Sequence, residues 1–152
     1  MKGWASVLFL CSLLAFVACS RPDESSSPAS TPAQAAAPAG HAGKGVGPIQ
    51  SVQLGALDPS MAEKGKAAFE QKCAACHRFE ERFVGPPLKG ITQRRTPEWI
   101  MNMILNPVEM TQKDPTAKEL LANYLTQMTY QNVSEEEARA ILEYFRQLDG
   151  AS

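Results

Sequence analysis

An excess of charge of one sign is missing from this 152-residue chain. Its 15 lysines and arginines stand against 16 aspartates and glutamates, so nothing marks a nucleic-acid partner. Aromatics are scarce at 7%. A folded domain of roughly 95 residues also buries a smaller share of its surface than a larger one, so help from a bound group or crosslink is expected. No apolar run reaches the roughly 20 residues that span a bilayer; the longest lies between Trp4 and Val17. No internal repeat is present, and no alternating segment reads as a convincing strand. Histidine occurs twice, at His41 and His77, and cysteine four times, at Cys11, Cys19, Cys73 and Cys76.

What is present begins with an export signal. Lys2 supplies the positive start, the Trp4–Val17 run the apolar centre, and Phe16-Val17-Ala18-Cys19 resembles a bacterial lipobox. Residues 1–18 are therefore expected to be a signal peptide of lipoprotein type, with Cys19 as the lipid anchor. The mature chain is expected on the periplasmic or extracytoplasmic side of the membrane. Residues 19–56 are dominated by Ser, Pro, Ala and Gly, with Pro22, Pro28, Pro32, Pro38 and Pro48 spread through them. Large apolar side chains are nearly absent there, so a disordered tether is expected, with His41 solvated in it. Cys11 leaves with the signal, which puts only Cys73 and Cys76 in the folded domain, residues 57–150.

That domain reads as helical. Ser60 with Glu63 has the form of a capping box opening a helix through about Lys72. Thr96-Pro97 opens a helix whose apolar stripe is Trp99, Ile100, Met103 and Ile104, and Asn106-Pro107 closes it. Asp114-Pro115 opens another, with Ala117, Leu120, Leu121, Tyr124 and Leu125 at the same period. Ser134 with Glu137 caps the last, lined by Ala138, Ile141, Leu142, Phe145 and Leu148. These stripes lack the bulk to fill a centre alone, leaving room for something large and apolar.

Cys73-Ala74-Ala75-Cys76-His77 fits the C-x-x-C-H haem attachment pattern. Two thiols three positions apart on one turn face one porphyrin edge, and the adjacent imidazole can reach the iron. A zinc site would need four Cys or His ligands, and the folded domain offers three. A thioredoxin-like dithiol would sit beside a βαβ pattern, which is lacking. A disulfide across two intervening residues has poor geometry and leaves His77 without a role. For the sixth ligand no second histidine lies in the domain, and methionine suits a haem that only transfers electrons. Met61, Met101 and Met103 fall within expected helices, whereas Met110 and Met128 are expected in loops.

From Gly65 to Asp149 the sequence resembles the class I cytochromes c, on Gly65 and Phe69, the C-x-x-C-H turn, and Gly85-Pro86-Pro87-Leu88. The resemblance implies an all-α, cytochrome c-like fold of four to five helices around one covalent haem c. It implies that Gly65 and Phe69 pack against Tyr144 or Phe145, and that the Pro86 carbonyl accepts a hydrogen bond from His77. The family places its methionine ligand shortly before the last helix, where Met128 stands. Met110 and an open iron remain alternatives. Trp99, Tyr124 and Tyr130 are candidate donors to a haem propionate, with Arg94 and Arg95 as its candidate charge partners. Lys89, Arg94 and Arg95 are a candidate docking patch for an acidic protein.

The function expected is single-electron transfer, not enzymatic catalysis, since no nucleophile–base pair or second metal cluster is evident. Expected partners are respiratory oxidase or reductase complexes and, through the lipid, the membrane; no small-molecule substrate is expected. A haem-based ligand binder or small peroxidase would instead need an open sixth position.

Overall fold

The computed structural model describes residues 43–151. The expected signal peptide, Cys11, Cys19, His41 and the expected tether up to residue 42 lie outside them. Six helices and no strand occur among the described residues: α1 (Pro59–Lys72), α2 (Ile91–Arg94), α3 (Pro97–Leu105), α4 (Pro107–Lys113), α5 (Pro115–Tyr124) and α6 (Glu135–Leu148). None is long and apolar enough to cross a membrane.

Four helices start on proline at the first helical position, where its missing N–H costs nothing. The expected caps hold at Thr96, Asp114 and Ser134, and Ser134 and Glu137 form a complete capping box. At α1 the expectation fails. Asp58 is the cap, its carboxylate accepting the Met61 N–H at 3.1 Å, because Pro59 fixes the first turn earlier than Ser60 would. Asn106-Pro107 both ends α3 and starts α4, which together with the four-residue α2 brings the helices among the described residues to six. Met110 is consequently helical, not in a loop. Leu125 is not on the α5 stripe; it is the left-handed cap of that helix (φ 53°), 86% exposed.

Helices α1 and α6 cross with their backbones in contact. A Cβ at Gly65 would overlap the Ala140 carbonyl, so only glycine fits there. Next to the crossing Phe69 packs on both Tyr144 and Phe145, at 5.9 and 5.8 Å between centroids, and on Phe79 at 4.9 Å. Gly65→Ala must push the two helices apart. A loss of about 3 kcal/mol is expected, read from the urea midpoint of the haem-loaded protein.

On the outer side of α6, Glu143 is fully buried with Arg139 and Arg146 on its two oxygens, and it also accepts the Asp58 N–H at 3.0 Å. Burial pushes its pKa up, but the bonds from Arg139, Asp58 and Arg146 outweigh burial and hold it below the ordinary carboxylate value. A depressed folded pKa gives stability that is present above the unfolded carboxylate range and lost as pH falls through the folded value. Urea titrations across that acid range are expected to show a shallower decline for Glu143→Gln, on top of a loss of about 3 kcal/mol at neutral pH.

Residues 43–55, expected to belong to the tether, are a strap across α3 and α4. Asn102, 1% exposed within the apolar α3, is its anchor. Its Nδ2 donates to the Lys44 and Ile49 carbonyls at 2.8 and 2.9 Å, and its Oδ1 accepts the Ile49 N–H at 2.9 Å. Val52 N–H donates to Glu98, and Thr96 Oγ1 donates to the Gly43 carbonyl. Ile49 buries in the core. Ile49, with Val46 and Val52 packed against the same core, and side-chain partners for the backbone offset the ordering entropy that composition alone suggested would win.

Candidate functional site

α1 delivers the site's first thiol. Cys73 caps the helix, its N–H bonded to the Phe69 carbonyl at 2.8 Å. Its carbonyl then accepts both the Cys76 and the His77 N–H at 3.0 Å, so residues 73–77 close a tight turn. Both cysteines are free thiols; Cys73 is half-buried and Cys76 exposed. Burial, partly countered by Lys72 and reinforced by Cys76, pushes the Cys73 thiol up to about 11.

The chain then loops back under His77. Gly85 N–H donates to the Cys76 carbonyl at 2.9 Å and Leu88 N–H to the Arg78 carbonyl at 3.0 Å, which brackets Pro86. The Pro86 carbonyl lies 3.2 Å from His77 Nδ1. Since a carbonyl only accepts, Nδ1 must carry the proton, which leaves the Nε2 lone pair for a ligand. Burial lowers the His77 pKa, and the Pro86 bond opposes it. Gly85 is required by close approach: a Cβ there would stand 2.5 Å from His77 Cε1 and 2.8 Å from Nδ1.

These groups open on a largely apolar cavity. Its far wall comes from α3 (Trp99, Ile100, Met103, Ile104) and α5 (Leu120, Leu121). The stripes expected to be short of bulk thus surround a space instead of closing it. Met128 lines the cavity from the loop between α5 and α6, and Met103 from α3. Met110 does not: it is fully buried, its Sδ accepting the Val46 N–H of the strap at 2.9 Å.

The other candidates divide. Trp99 Nε1 is committed to Asp114 Oδ1 at 3.0 Å, and the same oxygen caps α5 through Ala117 N–H. Tyr130 donates to the Val133 carbonyl. Lys89 pairs with the exposed Glu80, while Arg94 donates to the Lys89 and Pro87 carbonyls and has no carboxylate partner among the described residues. Arg95 lies over the Trp99 ring at 5.3 Å with its Nε buried and without a partner among the described residues. Sequence reasoning missed Asn102 and Arg82. A lone amide inside Trp99-Ile100-Met101-Asn102-Met103-Ile104 was the available signal for the first; the second had none.

An iron porphyrin fits these residues. Two thiols lie at one edge of an apolar cavity, and an imidazole there offers a free Nε2.

A family model described as cytochrome c matches residues 62–149. A solved cytochrome c from Rhodothermus marinus is 49% identical, with a TM-score of 0.67 over 68% of this chain and 90% of that one. A cytochrome c-553-like protein of Synechocystis is 35% identical over 69 residues, 42% of this chain and 66% of that protein. Cytochrome c-551 of Stutzerimonas stutzeri is 42% identical over 40 residues, 26% of this chain and 38% of that protein. The chain thus spans less than two thirds of each of these two sequence relatives. With the helical fold and the C-x-x-C-H cavity, these matches show that the chain belongs to the cytochrome c family, whose members are electron carriers with a covalently bound haem c.

Proposed function

We propose that this chain is a single-electron carrier with His77 and Met128 as the two axial ligands, exchanging electrons with respiratory oxidase or reductase complexes outside the cytoplasm. The observation that carries the reading is the cavity itself. It gathers two thiols, one oriented imidazole and a loop methionine in a mostly apolar lining. When bound, haem c supplies reversible one-electron iron chemistry.

The chain's own residues do the rest. Cys73 and Cys76 hold the porphyrin edge by thioether bonds, so retention does not depend on a small core. Pro86 keeps the His77 proton on Nδ1 and the ring oriented. Leu120, Leu121, Ile100 and Ile104 would keep water from the bound group. Phe83 and Val84 on one side and Leu125 and Tyr130 on the other stand exposed beside the cavity and suit a partner's apolar surface. Export, Cys19 lipidation and a tether through residue 42 belong to the same proposal, keeping the carrier near its membrane partners.

Carbon monoxide titration of the reduced protein tests this against a ligand-binding or peroxidase role. Slow, weak binding is expected because Met128 occupies the site. Rapid, tight binding would refute the carrier reading.

A further inference from the structure

Met128 sits in a loop with few attachments. The loop runs between two non-glycine residues in the left-handed region, Leu125 (φ 53°) and Asn132 (φ 52°). Its tertiary hydrogen bonds are Thr111 to Gln127 at 2.9 Å and Lys72 Nζ to the Asn132 carbonyl at 3.0 Å. A third attachment acts just before the first left-handed residue. Arg82, in the segment after the C-x-x-C-H turn, donates through Nη2 to the Asn123 carbonyl at 2.9 Å. Its guanidinium lies 4.2 Å from the centroid of the Tyr124 ring, and Tyr124 lines the cavity.

The Asn123 carbonyl is among the last of α5, where a helix has unpaired acceptors and a partial negative charge. A cation there is favourable, and stacking on Tyr124 adds to it. Arg82 therefore joins the segment that follows the His77 turn to the helix that leads into the Met128 loop. No other side-chain hydrogen bond among the described residues links residues 78–85 to α5 or to the loop after it.

We infer that Arg82 is a positioning residue for Met128: its reach from the His77 side to the end of α5 holds the distal loop closed over the cavity. The inference rests on reading Met128 as the sixth ligand. An external ligand enters only when the loop opens, so its apparent affinity scales with the open fraction. Loss of a stacked, charge-assisted contact of this kind is expected to raise that fraction about tenfold.

The test is imidazole titration of the ferric, haem-loaded protein, followed by loss of the weak far-red Met-to-iron absorption band. Arg82→Gln is expected to lower the apparent Kd about tenfold, whereas Lys113→Gln, removing a cation paired on α4, leaves it unchanged. Arg82→Lys is expected to fall between, since an ammonium reaches the carbonyl but stacks less well. Should Arg82→Gln not fold, Tyr124→Leu is expected to lower Kd about threefold and Tyr124→Phe to match the parent protein. Equal Kd values for the parent and Arg82→Gln, with the band present in both, would overturn the inference alone. An unaltered protein without the band that binds imidazole as tightly as Met128→Ala would overturn it together with the ligand reading.

Discussion

Met128→Ala is expected to abolish the far-red Met-to-iron band and to tighten imidazole binding to the ferric protein about 100-fold. The magnitude follows from populations: if the closed loop leaves the iron open about 1% of the time, removing the internal ligand removes that factor. Met103 also lines the cavity but belongs to the apolar face of α3. Met103→Leu is therefore expected to keep the band, at a packing cost under about 1.5 kcal/mol. Met110→Leu is expected to keep it too, since that sulfur is engaged by Val46. A band that survives Met128→Ala and disappears in Met103→Leu would transfer the ligand role to α3.

Gly85→Ala is expected to have the next largest effect. The added carbon would stand 2.5, 2.8 and 3.1 Å from His77 Cε1, Nδ1 and Nε2. Either the ring turns or the Pro86 segment withdraws, and both lengthen the 3.2 Å bond to the Pro86 carbonyl. That bond lends the imidazole anionic character and favours the ferric state, so weakening it makes reduction easier. A rise in reduction potential of about 30–60 mV is expected, a threefold to tenfold shift at about 59 mV per tenfold for one electron. A stability loss of about 2 kcal/mol should accompany it. Potentiometric titration beside urea unfolding checks both, and an unchanged potential in a destabilised protein would remove Pro86 from the tuning of the iron.

The site's covalent part was legible because it is local. Cys73, Cys76 and His77 fall on one turn, and their spacing alone limits the chemistry. Helices with side-chain caps and periodic stripes were legible for the same reason, as at Thr96-Pro97, Asp114-Pro115 and Ser134-Glu137. The misreadings lie where distant residues decide. α4 was hidden because Pro107 ends one helix and begins the next without a loop. The strap was hidden because its composition reads as linker, and its order depends on Asn102, more than 50 residues away. Met110 and Met128 were both expected in loops, with only the family resemblance favouring Met128; helix α4 and the strap hold Met110 away from the cavity that Met128 lines. Arg82 had no sequence signal, since its partner is a backbone carbonyl at the end of α5.

The central claim is that Cys73 and Cys76 hold haem covalently in this cavity. Acid–acetone extraction of the chain, produced with cytochrome maturation machinery and followed by absorption spectra in both oxidation states, tests it most directly. The account predicts that the colour stays with the polypeptide and that Cys73→Ser with Cys76→Ser releases it to the organic phase. A colourless protein, or unaltered protein that gives up its pigment to the solvent, would contradict it.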